Sequence, residues 1–172
     1  VTAVASASST GVTGTDEARA ETARRERGLR RATLVLIVML LAEFVLGLAV
    51  SLYATVNPTG GGMFSAFGHA LTKGPGALAA HAGVGILLVL AGIGLVVQSL
   101  LAGRKSVIVY SIVALIAILG AWSSGSSFVA KGNDADSMVM GCLTAVALLC
   151  ASLVLYVLGG ERRERTDTAA TE

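Results

Sequence analysis

Charge is what this chain has least of. Asp, Glu, Lys and Arg make up 14% of its residues and hydrophobic residues 54%, whereas a soluble domain carries about 25% charged residues. That balance excludes an ordinary water-soluble globule. Histidine is nearly absent: His69 and His81 are the only two. Cysteine is as scarce. Cys142 and Cys150 stand roughly 12 Å apart along a helix, too far for a bridge. They belong to no CxxC pair and no Cys/His ligand cluster, so a metal site is not indicated, and buried free thiols are the plain reading. Covalent haem attachment is excluded because there is no CxxCH. No spacing matches a calcium loop or a phosphate-cradling loop. No nucleophile has an identifiable base, so the catalytic set is empty and an enzyme is not expected. The net charge of +2 is too small to suggest a nucleic-acid partner.

What the chain does have is long apolar runs. Four segments, 32–55, 77–101, 107–128 and 137–158, meet the roughly 20 apolar residues that a spanning helix needs. They predict an all-α, four-helix transmembrane bundle, up-down-up-down, within residues 32–159. Residues 1–31 and 160–172 are read as polar tails, the first beginning with a Ser/Thr/Ala/Gly-rich run that buries too little apolar surface to order itself. Its Arg-rich part, from about Asp16, is able to form a helix leading into the membrane. The first apolar segment is too long for the apolar region of a cleaved signal, so it reads as a retained anchor.

Between the first two spans, Asn57-Pro58 and Gly60-Gly61-Gly62 are breakers. The stretch MFSAFGHAL follows, with Met63, Phe64, Phe67, Ala70 and Leu71 on one side of a short helix. It reads as an interfacial helix lying on the membrane, with His69 turned to water. A turn at 102–106 and a connection at 129–136 join the remaining spans. Asp134 or Asp136 is placed to cap the fourth helix.

Eleven of the 13 Lys/Arg residues fall on one side of these spans, leaving Lys73 and Lys131 on the other. The bias predicts that both termini are cytoplasmic, in a bacterial inner membrane.

Three features need explaining. Glu43 interrupts the centre of the first span, sharing a helix face with Leu36, Gly47 and Val50. A charge there costs about 2.5–3.5 kcal/mol on insertion scales, so Glu43 is either a proton or cation site or a carboxyl bonded across a helix contact. Helix rise sets it level with Ala91–Gly92, Ile116 and Ala147. His81 lies on a face with Gly85, Leu88, Gly92 and Ser99. It suits a non-covalent haem b ligand, with Met138, Met140 or His69 as candidate second ligands, or else a neutral imidazole bonded to the Ser-rich end of the third span. The third feature is the outer cluster of Ser123, Ser124, Ser126, Ser127, Asp134 and Asp136, a vestibule or simply a solvated rim.

Four short helices with Glu43 midway along the first resemble the small multidrug resistance exporters. That likeness implies exchange of protons for a hydrophobic cation at Glu43, although the second span lacks that family's aromatics and the charge bias here is strong. HAGVGILLVL, GSSFVAKG and DSMVM are similar to stretches of uncharacterised four-helix membrane proteins of high-GC bacteria, a likeness that implies no activity. Three functions follow from the sequence. The first is a non-enzymatic accessory subunit, associating in the bilayer with other membrane subunits or with itself. The second is a haem-binding electron carrier centred on His81, and the third a small proton-coupled transporter using Glu43. The topology is open to a direct check. Single cysteines introduced at Ser8 and Thr168 should react with a membrane-impermeant thiol reagent from one side, and one at Asn133 from the other.

Overall fold

The computed structural model describes residues 10–53 and 61–169, with side chains described at Glu17 and within 20–53 and 61–160. The run before Thr10, the Asn57-Pro58 breaker and the side chains of Arg19, Arg162, Arg163 and Arg165 lie outside these. The described chain forms five helices: α1 Thr10–Tyr53, α2 Met63–Lys73, α3 Gly76–Ala102, α4 Lys105–Lys131 and α5 Asp134–Ala169. α1, α3, α4 and α5 each contain a stretch long and apolar enough to cross a membrane. They pack in a ring, α1 against α3, α3 against α4, α4 against α5 and α5 against α1, while α2 rests on α3 and α4.

The bundle core runs through Leu29, Leu36, Leu40, Leu88, Leu95, Ala117, Ala147 and Val154. Opposite faces carry uncovered Leu, Val and Ile, such as Val38, Val45, Leu90 and Ile116. In lipid that surface costs nothing to leave uncovered, because the acyl chains are as apolar as the side chains. The hydroxyls of Thr33, Ser99 and Ser111 on the helix contacts are bonded internally, as a water-free surrounding demands. Ser99 donates to the Leu95 carbonyl at 2.7 Å and meets Ser111 of α4 at 2.7 Å. Thr33 donates to the Leu29 carbonyl at 2.8 Å.

Several boundaries differ from the sequence reading. The Arg-rich part is helical, as its composition allows, but the helix starts earlier than Asp16, and residues 10–31 form the first half of α1. This segment is rich in Ala, Glu and Arg, strong helix formers, and a Glu21–Arg25 pair at i, i+4 supports it. Leu29 of this segment is 1% exposed, so its last turns belong to the bundle. α5 likewise continues through residues 160–169. The connections are much shorter than 102–106 and 129–136. Gly103 and Gly132 end α3 and α4 at φ 68° and 70°, the left-handed region that glycine adopts without strain. The Ser-rich run is therefore helical, inside α4. Asn133, rather than Asp134 or Asp136, caps α5: its side-chain oxygen accepts the Ala135 N–H at 3.2 Å. Asp136 instead accepts the Ser127 hydroxyl at 2.9 Å.

α2 also differs from a helix lying on lipid. Its buried residues are Ala66 and Ala70, which seat it on the bundle beside Leu78, Ala82, Val129 and Ala130. Small side chains let its backbone approach closely. Phe64 and Phe67 both meet Trp122 edge-on, with ring centroids 5.8 and 5.3 Å away. Cys150 is buried as expected, but Cys142 is on the uncovered side of α5.

Close packing of α3 on α4 depends on Gly92. A Cβ there would stand 3.1 Å from Leu115 Cδ1 and 3.3 Å from Ile118 Cδ1, whereas one at Gly94 would meet nothing within 4 Å. Gly92→Val should therefore destabilise the bundle by about 1–3 kcal/mol and Gly94→Val much less. Thermal unfolding of both variants in detergent checks the difference.

Candidate functional site

The site is built on the α1–α3 contact. Gly28 lies beside Gln98, and Gly47 beside His81, so the two helices pass in opposite directions. At the Arg-bearing end, Arg25 donates to the Leu101 carbonyl at 3.4 Å, and Arg104 pairs with Glu26 at 2.9 Å. This register differs from the one that helix rise suggests. Because α1 enters the bundle well before Ala32, it slides past α3 by roughly two turns, about 9–12 Å. Glu43 is consequently not level with Ala91–Gly92. It meets His81 and Gly85.

His81 Nδ1 lies 3.1 Å from Glu43 Oε1, with the two side chains 15% and 12% exposed. The two atoms are at ion-pair distance but are not aligned as a hydrogen bond, and His81 Nδ1 and Glu43 Oε2 are both sealed without a hydrogen-bond partner among the described residues. The contact is reciprocal in sequence. Glu43 is followed four residues later by Gly47, and His81 by Gly85. A Cβ at Gly47 would stand 3.2 Å from His81 Cε1, and one at Gly85 would stand 3.4 Å from Glu43 Oε1. Each ionisable side chain thus sits over the glycine of the opposite helix, one turn from that helix's own ionisable group. Four residues is one helical turn, so both halves of the pair occupy one seam.

The pair lines a cavity of about 90 Å³, walled mostly by apolar residues of all five helices. Leu40 and Leu88 bound it on the Arg-bearing side, and Phe67 and Ala70 of α2 line it with Trp122 and Phe128 of α4. Its other polar members are Ser51, Ser126, Ser137 and Thr144. Two of these already have their hydroxyl protons engaged: Ser126 donates to the Trp122 carbonyl and Thr144 to that of Met140, each at 2.9 Å. A cavity of this size has room for several waters, for which these few polar groups are the partners.

The fold brings Glu43, His81 and Met140 to one cavity. His69 and Met138 are outside it, on uncovered surface, Met138 at 73%. The Ser-rich end of α4 does not bond His81. Ser126 and Ser127 are used within α4 and toward Asp136, and Ser123 donates to the Met63 sulfur at 3.4 Å. Among the described residues, no three His, Cys, Asp or Glu gather as a metal site. For haem b, His81 would have to offer Nε2, since Nδ1 faces Glu43. The cavity is smaller than the about 150 Å³ that holds benzene, so a porphyrin does not fit the space as it stands.

The pairing itself escapes a reading of one helix at a time, although the matched spacing of acid and glycine, imidazole and glycine is a signal for it. Comparison with family models, with curated proteins and with solved structures gave no match, so the site is read from its own geometry. That geometry makes Gly47 a positioning residue. Gly47→Val should push the His81 ring off Glu43 and impair function as strongly as His81→Phe, while leaving the purified protein folded. The His81 imidazole NMR shifts, compared between wild type and Gly47→Val, check the displacement.

Proposed function

We propose that this multi-pass membrane protein is a small proton-coupled transporter whose exchange site is the Glu43–His81 pair. One observation carries the reading: the acid and the base, each placed in an apolar span, meet at 3.1 Å on the wall of a cavity. Intramembrane ionisable residues mark ion and proton pathways more often than they serve structure. An interaction subunit has no need of such a pair, since bundle packing is supplied by leucine, alanine and glycine.

The chemistry is one of charge balance. With one shared proton the pair is neutral overall, as carboxylate with imidazolium or as carboxylic acid with imidazole. Either form is tolerable in a low-dielectric site, where a lone charge is costly. Removal of that proton leaves one negative charge. A monovalent cation entering the cavity restores neutrality, with Glu43 oxygen atoms as its ligands and the proton departing to water. The return step is the reverse. One proton is thereby exchanged for one cation, and neither step strands a charge in the membrane. The cavity size favours a small cation or its partly hydrated form. α2 covers the cavity at the end away from the arginines, and movement of Phe67 against Trp122 would open it.

The experiment is proton flux in proteoliposomes carrying a pH-sensitive dye. An imposed gradient of a monovalent cation should drive proton movement through wild type. Glu43→Gln, which keeps shape and removes the exchangeable charge, should reduce that rate at least ten-fold, and His81→Gln should slow it strongly. Flux at background level in wild type for every alkali and small organic cation tried would overturn the reading, as would unchanged flux in Glu43→Gln.

A further inference from the structure

We infer that Arg24, Arg27 and Arg31 form a binding site for anionic phospholipid headgroups. The argument begins with the continuity of α1, which carries one helical phase from Thr10 to Tyr53. At 3.6 residues per turn, the three arginines fall within roughly 60° of one another. Leu34, Val35, Val38 and Val45 lie in the same sector and are 51–64% exposed. The opposite side of α1 is the bundle face, with Leu29, Thr33, Leu36 and Leu40 all at 2% exposure or less. The arginines therefore continue the lipid-facing stripe beyond its apolar part and point away from the protein.

Depth agrees with this placement. Arg31 precedes Leu34 by a single turn, and Arg24 stands about 10 Å further along the axis. The headgroup layer is roughly 5–8 Å deep on each side of the hydrocarbon. Counted from Leu34, Arg31 falls within that layer, while Arg27 and Arg24 stand just above it, from where long side chains reach back to the phosphates. A long side chain keeps its apolar stem along the acyl chains while its guanidinium engages phosphate.

Charge supplies the second argument. Two neighbouring basic groups are already engaged, Arg25 with Glu21 and the Leu101 carbonyl and Arg104 with Glu26. None of Arg24, Arg27 and Arg31, which are all exposed, has an ion pair among the described residues. Glu17, also exposed, lies two turns beyond Arg24, outside the headgroup layer. Three guanidinium groups with no ion pair among the described residues, on a lipid-facing stripe, are complementary to a lipid bearing net negative charge, and a zwitterionic lipid offers its own ammonium against them. Each basic residue near an anionic surface contributes about five-fold in affinity.

The test uses the full chain, purified in detergent and exposed to equal amounts of phosphatidylglycerol and phosphatidylcholine. Retained lipid is counted by native mass spectrometry. Wild type should retain phosphatidylglycerol at least ten-fold in preference. The triple variant Arg24→Gln, Arg27→Gln, Arg31→Gln should lose that preference, and the triple lysine variant should keep most of it, which excludes misfolding as the cause. Arg25→Gln, which alters a residue serving the end of α3, should keep it too. Equal retention of the two lipids by wild type overturns the proposal, as does a preference that survives in the triple glutamine variant. Displacement of the lipid by millimolar inorganic phosphate would also overturn it, by making the site one for free phosphate.

Discussion

The contact between Glu43 and His81 is the constraint around which the bundle is arranged. Water in a soluble protein would satisfy either side chain alone. In a hydrocarbon surrounding, each needs a partner within the protein. Meeting across α1 and α3 supplies one and fixes how far one helix slides along the other. The 3.1 Å approach is possible because Gly47 and Gly85 leave space for the facing side chain. At the far end of the same seam, Arg25 and Leu101 and the Glu26–Arg104 pair hold the register at a second level. A helix pair tied at two depths resists sliding in a way that leucine contacts, which tolerate many registers, do not.

The other helices build outward from that seam. α4 and α5 close the ring, with Ser99 and Ser111 joining α3 to α4 and Ala147, Ala151 and Val154 filling the α5 side. α2 then sits on the open end, where Ala66 and Ala70 bring its backbone close and Phe67 packs on Trp122. The cavity is what remains between the acid–base pair and this cover. Its polar groups come from α1, α3, α4 and α5, and its aromatic groups, Phe67, Trp122 and Phe128, from α2 and α4.

α1 joins two different environments. Its central turns carry Glu43, the proposed exchange site, while its Arg-rich turns carry exposed guanidinium groups. One unbroken helix links them. At the contact between α1 and α3, Glu43 Oε2 and His81 Nδ1 have no hydrogen-bond partner among the described residues.

The sequence by itself determined the four apolar spans, the helical class and the identity of the misplaced residues. Hydrophobic length and local composition carry those properties, and both are written within each segment. Glu43 and His81 could be singled out for the same reason, because an ionisable group within an apolar run is conspicuous without knowledge of its neighbours. Only the tertiary structure decided that they meet. Their pairing depends on the slide of α1 past α3, and helix rise counted from assumed span ends misjudges it by about two turns. Apolar contacts are nearly indifferent to register, whereas glycine gaps and polar partners choose it, and they do so across helices. The seating of α2 was hidden likewise: a short amphipathic helix presents the same pattern to lipid as to a bundle, and the docking of Ala66 and Ala70 depends on the space that the other helices leave.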